Sequence, residues 1–169
     1  MQWLKRVNET DWNDKKYIRA GIIPYIEEKG IRFYAFGLEC SMGTIGDFGG
    51  HKEKTDMDAL DSALREYVEE SLNVFGILTR DKVKDYYVLD GKDTAEILVP
   101  VEGSMFKYSN KFKHIIGINP QHEVQNIVWF SRKQLITIIN SQQEKYDGIK
   151  PYLMYGRIRD TIQMNIDYM

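Results

Sequence analysis

Two runs of apolar and aromatic residues, 18–27 and 31–39, flank the polar turn Glu28-Lys29-Gly30 and predict a pair of strands. The second run, Ile31-Arg32-Phe33-Tyr34-Ala35-Phe36-Gly37-Leu38, is rich in residues that suit a pleated surface. Gly43, Gly46, Gly49 and Gly50 then fall within eight residues and predict a loop, whose backbone can take positive φ and approach another group closely. At 57–73 the period changes. Leu60, Leu64, Tyr67, Val68 and Leu72 recur at steps of three and four, which is one apolar stripe of a helix, with Thr55 or Asp56 placed to cap its start. Short strands are expected at 84–90, 94–101 and 124–130. Ser131 reads as the cap of a helix over 132–143, and Pro151 as the first turn of a last helix over 151–164.

Strands in groups, with helices after the second and the last group, predict an α/β chain in which a mixed β-sheet lies between helices. The 169 residues suit one domain, 1–169, with the polar stretch 1–16 as an N-terminal arm. Against 23 Lys+Arg stand 25 Asp+Glu, a net charge of −2, which excludes a nucleic-acid binder working through bulk positive charge. No apolar run approaches the ~20 residues of a membrane helix, so no membrane partner is expected. Met1-Gln2-Trp3-Leu4-Lys5-Arg6 shows no leader pattern. Cys40 is the only cysteine, which rules out an intrachain disulfide and a Cys-rich zinc site. The expected compartment is cytoplasmic.

The segment that carries chemistry runs from Gly49-Gly50-His51 to Arg65-Glu66-Tyr67-Val68-Glu69-Glu70. On a helix, Glu66 lies three and four residues from Glu69 and Glu70, so all three carboxylates share one side, away from Leu60, Leu64 and Val68. Like charges at this spacing destabilise an isolated helix, and a divalent cation reverses the sign. Clustered hard oxygens suit Mg²⁺ or Mn²⁺, which often share their shell with substrate phosphates. Arg65, four residues before Glu69, can hold a carboxylate in place. Gly49 or Gly50 can turn a backbone carbonyl toward the metal. Such a set suits attack of water on phosphorus. A Glu-rich face without the preceding glycines would read as solvated surface.

This segment resembles the signature box of the Nudix hydrolases: a glycine, five residues, a glutamate, seven residues, then R-E-U-x-E-E-x-G-U, with U a bulky apolar residue. Residues 65–70 match R-E-U-x-E-E position by position, and Gly50 matches the opening glycine with one extra residue in between. The first glutamate of the box falls on Asp56 or Met57, with Asp56 or Asp58 as substitutes, and its second glycine falls on Leu72. Val128-Trp129-Phe130-Ser131 followed by Lys133-Gln134-Leu135 looks like a late strand and helix start of the same domains, so the likeness spans roughly 18–165.

The resemblance implies a Nudix-like α/β/α sandwich and a pyrophosphohydrolase that uses Mg²⁺ or Mn²⁺. It would cleave a nucleoside diphosphate linked to another group, either a nucleotide-type small molecule or an RNA 5′ end. It implies Glu66, Glu69, Glu70 and Gly50 as metal ligands, with Glu69, Glu70, Arg65 and Glu123 in catalysis. Homodimers are common among such domains. For the substrate, residues 103–122 hold Lys107, Lys111 and Lys113 with no acid, interleaved with Phe106, Tyr108 and Phe112. They read as a loop or hairpin whose lysines meet phosphates and whose aromatics stack on a base. His51 beside the glycines adds a phosphate contact. A second reading, suggested by the altered spacing, is a module that binds a nucleotide or RNA end without cutting it.

Overall fold

The computed structural model describes residues 5–7, 10, 12–13, 16–39, 43–117, 121–141 and 152–169. Cys40, Pro151 and residues 142–143 of the expected 132–143 helix lie outside them, as does most of the expected N-terminal arm.

The strands among the described residues form a mixed sheet. Strand β1 (Lys5–Arg6) is followed by the long hairpin of β2 (Arg19–Glu28) and β3 (Ile31–Glu39). Lys29 and Gly30 make its turn at positive φ. The hairpin pairs only at its tip, from Tyr25↔Tyr34 to Glu28↔Ile31. Beyond the tip the two strands splay. The first half of β2 turns to β5 (Phe48–His51), while the end of β3 pairs with β4 (Thr44–Gly46). The glycine-dense stretch expected as a loop is therefore two short strands with Asp47 at the corner between them. Gly43 alone of its four glycines takes positive φ. The others serve close packing instead.

Helix α1 (Ala59–Ser71) follows β5. Its cap is Asp58, whose carboxylate accepts from the Asp61 N–H, and neither Thr55 nor Asp56 fills that role. Leu60 and Tyr67 are buried as expected, but Val68 is 46% exposed, because the stripe is narrower than the sequence suggests. The helix ends on Leu72, held left-handed at φ 55° with its N–H on the Val68 carbonyl. Here the backbone makes the turn for which the Nudix box uses glycine, and Leu72 packs partly buried against the core. A short helix α2 (Arg80–Val83) leads to strands β6 (Tyr87–Asp90) and β7 (Thr94–Pro100). Strand β7 runs parallel to β2.

Most of the described part of the segment expected as a loop or hairpin is helical. Ser104 caps a helix, α3 (Met105–Ile116), that buries Phe112 and Ile116. Strand β8 (Val124–Ser131) pairs with β3, and α4 (Arg132–Ser141) starts in a reciprocal cap: Ser131 Oγ accepts from Gln134 N–H, and Gln134 Oε1 from Ser131 N–H. Strand β9 (Leu153–Met154) and α5 (Gly156–Met164) close the chain.

Adjacent residues on the central strands feed opposite cores. Ile22, Ile97 and Phe48 pack with Leu60, Tyr67 and Phe112, while Ile23, Leu98 and Phe36 pack with Leu135, Ile158 and Ile162. Helices α1 and α3 thus cover one face and α4 and α5 the other. This is an α/β/α sandwich, as the order of elements predicts.

Candidate active site

The splaying of β2 and β3 opens a cleft of about 320 Å³ where β5, the end of α1 and the start of α5 meet. Glu70, Glu123, Glu39, Gly49, Gly50 and His51 line it, together with Arg19 and residues 155–158. Helix α1 lies across β5 and brings its last turns against the two glycines. The Gly49 N–H donates to Glu70 Oε2 at 3.1 Å. A Cβ on Gly50 would stand 2.5 Å from Glu66 Oε1, so the glutamate occupies the space where that side chain would be. A Cβ on Gly49 would stand 2.3 Å from the Gly21 Cα, so strands β2 and β5 also need a bare backbone there.

The backbone register refines which glycine could serve a metal. The Gly49 N–H is turned out of the β2 ladder toward Glu70. Within an antiparallel strand a residue's N–H and C=O point to the same side. The free carbonyl oxygen is therefore that of Gly49 rather than Gly50, the glycine expected from the box.

The three glutamates Glu66, Glu69 and Glu70 do not share one environment. Glu70 is half-buried and reaches the cleft. Glu66 is tucked under Gly50, and its Oε1 accepts from Arg65 at 2.8 Å. Glu69 has a side chain 60% exposed and stands outside the cleft, with Arg65 3.7 Å away. Arg65 is itself fixed from behind by Asp56, at 3.3 Å to Nε and 3.0 Å to an Nη. Asp56, one of the two residues on which the first glutamate of the resembled pattern falls, thus serves as the brace of Arg65. These contacts hold the Arg65 guanidinium pKa above its ordinary value, and the Asp56 pKa below the ordinary one.

Glu70 is pushed up to about 9, first by burial and then by Asp47 and Glu66, with a smaller push from Glu123. The Gly49 N–H works against these and does not offset them. The cleft gathers the carboxyl groups of Glu39, Glu70 and Glu123 beside the backbone of Gly49 and Gly50, a set of hard oxygens with one imidazole, His51. Residues of this type fit a divalent cation. Among the described residues, however, no three His, Cys, Asp or Glu side chains are gathered closely enough to hold a metal ion.

Beneath the cleft lies a network that the sequence reading missed. Arg19 on β2 donates to Asp47 Oδ1 at 2.7 Å and to Glu96 Oε1 at 3.1 Å, with all three residues buried. Burial opposes the Arg19 charge, but the two carboxylates raise its pKa. Burial first, and then Asp47, push the Glu96 carboxyl well above its ordinary range. Asp47 Oδ2 and Glu96 Oε2 have no partner, and both sit over Gly21, where a Cβ would be 1.8 Å and 2.9 Å from them. A proton held on Glu96 and donated to Asp47 satisfies both oxygens. The sequence signal was a lone charge inside each of two apolar runs. Also missed were Glu39, which accepts from the Tyr155 hydroxyl at 2.7 Å, and Arg157, which pairs with Asp93 at 3.2 Å.

The substrate-side candidates are dispersed. His51 is exposed at the cleft. Lys107, Lys111 and Lys113 are exposed on α3 and do not line the cleft. Phe112 is fully buried, so its ring cannot stack on a base, contrary to the reading of this segment as an open loop. Tyr108 is half-buried against Phe75 and Trp129, its hydroxyl bonded to the Glu102 carbonyl. Glu123 is exposed on the rim. His122 beside it places Nε2 2.9 Å from the Glu70 carbonyl.

No protein-family model matches the chain, and no curated protein matches it. Solved structures do resemble it. An Ap4A hydrolase from C. elegans, in a binary complex, is 16% identical, covering 89% of this chain and 97% of its own with a TM-score of 0.46. The M. smegmatis protein RenU is 11% identical, covering 99% and 95%, with a TM-score of 0.49. A protein from Nitrosomonas europaea is 13% identical, covering 86% of each chain, with a TM-score of 0.42. The last two are named Nudix hydrolases. Likenesses of this size carry no argument about reaction or substrate.

Proposed function

We propose that the protein is a Nudix-type pyrophosphohydrolase. Its reaction would be hydrolysis of a phosphoanhydride in a nucleoside diphosphate linked to another group, with Mg²⁺ or Mn²⁺ as cofactor. The observation that supports this most is the seating of Glu66 and Glu70 against the bare backbone of Gly49 and Gly50. It gathers two partly buried carboxyl groups at the mouth of a cleft of nucleotide scale.

Glu66, Glu69 and Glu70, with the Gly49 carbonyl, would hold the cation. Once bound it would polarise phosphoryl oxygens and lower the pKa of water. Arg65, braced by Asp56, keeps the Glu66 carboxylate in place. Glu123 on the rim takes the proton from the attacking water. That water's oxygen bonds to phosphorus as the anhydride P–O bond breaks, leaving two phosphate-bearing products. His51 contacts a substrate phosphate at the cleft mouth.

The test is a panel of capped RNA, dinucleoside polyphosphates, ADP-ribose and nucleoside triphosphates, incubated with Mg²⁺ or Mn²⁺. Glu69→Gln and Glu70→Gln are expected to lose turnover by on the order of 100-fold or more while circular dichroism reports an intact fold. Near-wild-type turnover in both variants overturns the assignment. Binding without any new phosphate-bearing product makes the protein a recognition module instead.

A further inference from the structure

The outer face of α3 is a feature that the cleft chemistry leaves unused. It presents Lys107, Lys111, Lys113, His114 and the 77%-exposed Phe106 to solvent. Among the described residues the three lysines make no ion pair, whereas Lys16 and Lys84 are each paired with an aspartate. No acid occurs from Gly103 to His122. The opposite face is fixed to the sheet. Phe112 is buried, and Ser109 Oγ donates to the Ile127 carbonyl at 3.2 Å and accepts from Trp129 Nε1 at 3.0 Å. The lysines therefore stand on a rigid support.

The helix also adjoins the cleft. The Phe112 ring lies 6.0 Å from His122, whose Nε2 touches the backbone of Glu70, and the next residue, Glu123, is on the cleft rim. The last turn of α3, with Lys113 and His114, thus starts where the cleft ends. From there to Lys107 the helix extends for about 9 Å at 1.5 Å per residue. None of the lysines lines the cleft, so a small nucleotide seated there gains nothing from them. A ligand that fills the cleft and continues past its rim meets all three.

We propose that the exposed face of α3 binds the chain of a single-stranded RNA whose 5′ end enters the cleft. The proposal rests on the pyrophosphohydrolase reading and narrows its substrate class from small nucleotides to an RNA end. Lys113, Lys111 and Lys107 neutralise successive phosphates downstream of the scissile anhydride, and Phe106 offers a face on which a base stacks. An anionic bilayer is the less suitable partner. Apart from Phe106 this face is polar, and it has no apolar stripe to insert.

The test separates the face from the cleft. Binding of a fluorescent 5′-hydroxyl RNA of about 16 nucleotides is followed by anisotropy across a salt series, without divalent metal. The triple variant K107E/K111E/K113E is expected to bind more weakly. Its plot of log affinity against log salt should be shallower by about 2, because each phosphate that a lysine no longer neutralises takes about 0.7 from the slope. Equal affinities and slopes overturn the proposal, as does lysine-dependent binding to phosphatidylserine vesicles without RNA binding. In hydrolysis, the preference of kcat/KM for triphosphorylated or capped RNA over a dinucleoside polyphosphate should fall by on the order of tenfold or more in the variant. An unchanged preference overturns the proposal. Lysine-dependent RNA binding without hydrolysis of any substrate supports the face while overturning the assigned reaction. Thermal unfolding checks that the exposed substitutions leave the fold intact.

Discussion

Gly49 and Gly50 are neighbours on one strand, yet alanine at each should fail for different reasons. At Gly50 the three atoms nearest the new Cβ all belong to Glu66, at 2.5 Å for Oε1, 2.6 Å for Cδ and 2.8 Å for Cγ. Ordinary contact begins near 3.4 Å, so the glutamate must retreat by about 0.9 Å, and its side chain can do so by rotating. The fold should lose no more than about 1 kcal/mol, or about 2–4 °C in Tm for a chain of this size. Turnover should fall much further, because a misplacement of about 1 Å in a catalytic group can cost 100-fold. At Gly49 the Cβ lies 2.3 Å from the Gly21 Cα and 2.5 Å from the Ala20 carbonyl oxygen. Backbone must give way by about 1.1 Å between two paired strands. A cost of about 3 kcal/mol or more would lower Tm by about 6–12 °C. The assay pairs thermal unfolding with hydrolysis of one substrate from the panel. Wild-type turnover in Gly50→Ala would refute the role given to the Glu66 seat, and a wild-type Tm in Gly49→Ala would refute the argument from backbone clearance.

Three further outcomes are expected. Mg²⁺ at tenfold its dissociation constant should raise the Tm of the wild type by about 3–6 °C, from RT ln 11 or about 1.4 kcal/mol. It should not do so for Glu70→Gln, and equal rises in both proteins would show that the cation binds elsewhere. Asp58 is buried, which opposes its charge, but Arg80 at 2.8 Å and the Asp61 N–H hold its pKa below the ordinary aspartate value. A depressed pKa gives stability that is present above the ordinary value and lost as pH falls through the folded one. Asp58→Asn keeps the cap and should flatten the loss of stability below about pH 4, so an unchanged acid limb in pH-dependent urea melts would count against this account. Arg19→Met strands Asp47 and Glu96 without their cation and should cost about 3–5 kcal/mol. Glu96→Gln should be far milder, since an amide matches the shape of the carboxyl group, and burial already pushes that group toward its neutral form. Urea denaturation that ranks the two in reverse would contradict the network.

The hairpin, α1 and the Arg65–Glu70 motif were legible because each rests on local periodicity or contiguous residues. Helix α3 was not. Tyr108, Phe112, Ile115 and Ile116 keep the helical spacing, but Ser109, Asn110 and Gly117 weaken the propensity, and interleaved lysines and aromatics also suit an open surface. Strands β4 and β5 escaped because glycine disfavours strands in isolation, and here packing between the splayed β2 and β3 overrides it. The deepest miss was the Arg19–Asp47–Glu96 network, whose members are separated by 28 and 77 residues. Such partners are set by sheet order, which no window of sequence contains.

That network also bears on how the chain reaches its native state. Its charges come from β2, from the corner between β4 and β5, and from β7. None can be buried alone without leaving a charge or a carboxyl group unpaired in a dry interior. Strand β7 cannot dock with Glu96 inward before Arg19 is present, and Arg19 on β2 is left with only one carboxylate until β7 arrives. The parallel pairing of β2 with β7 and the antiparallel pairing of β2 with β5 must therefore close as one event. Both are long-range contacts, of the kind that slows folding. The final collapse of the sheet centre should be a late, all-or-none step, and it completes the floor of the cleft in the same motion.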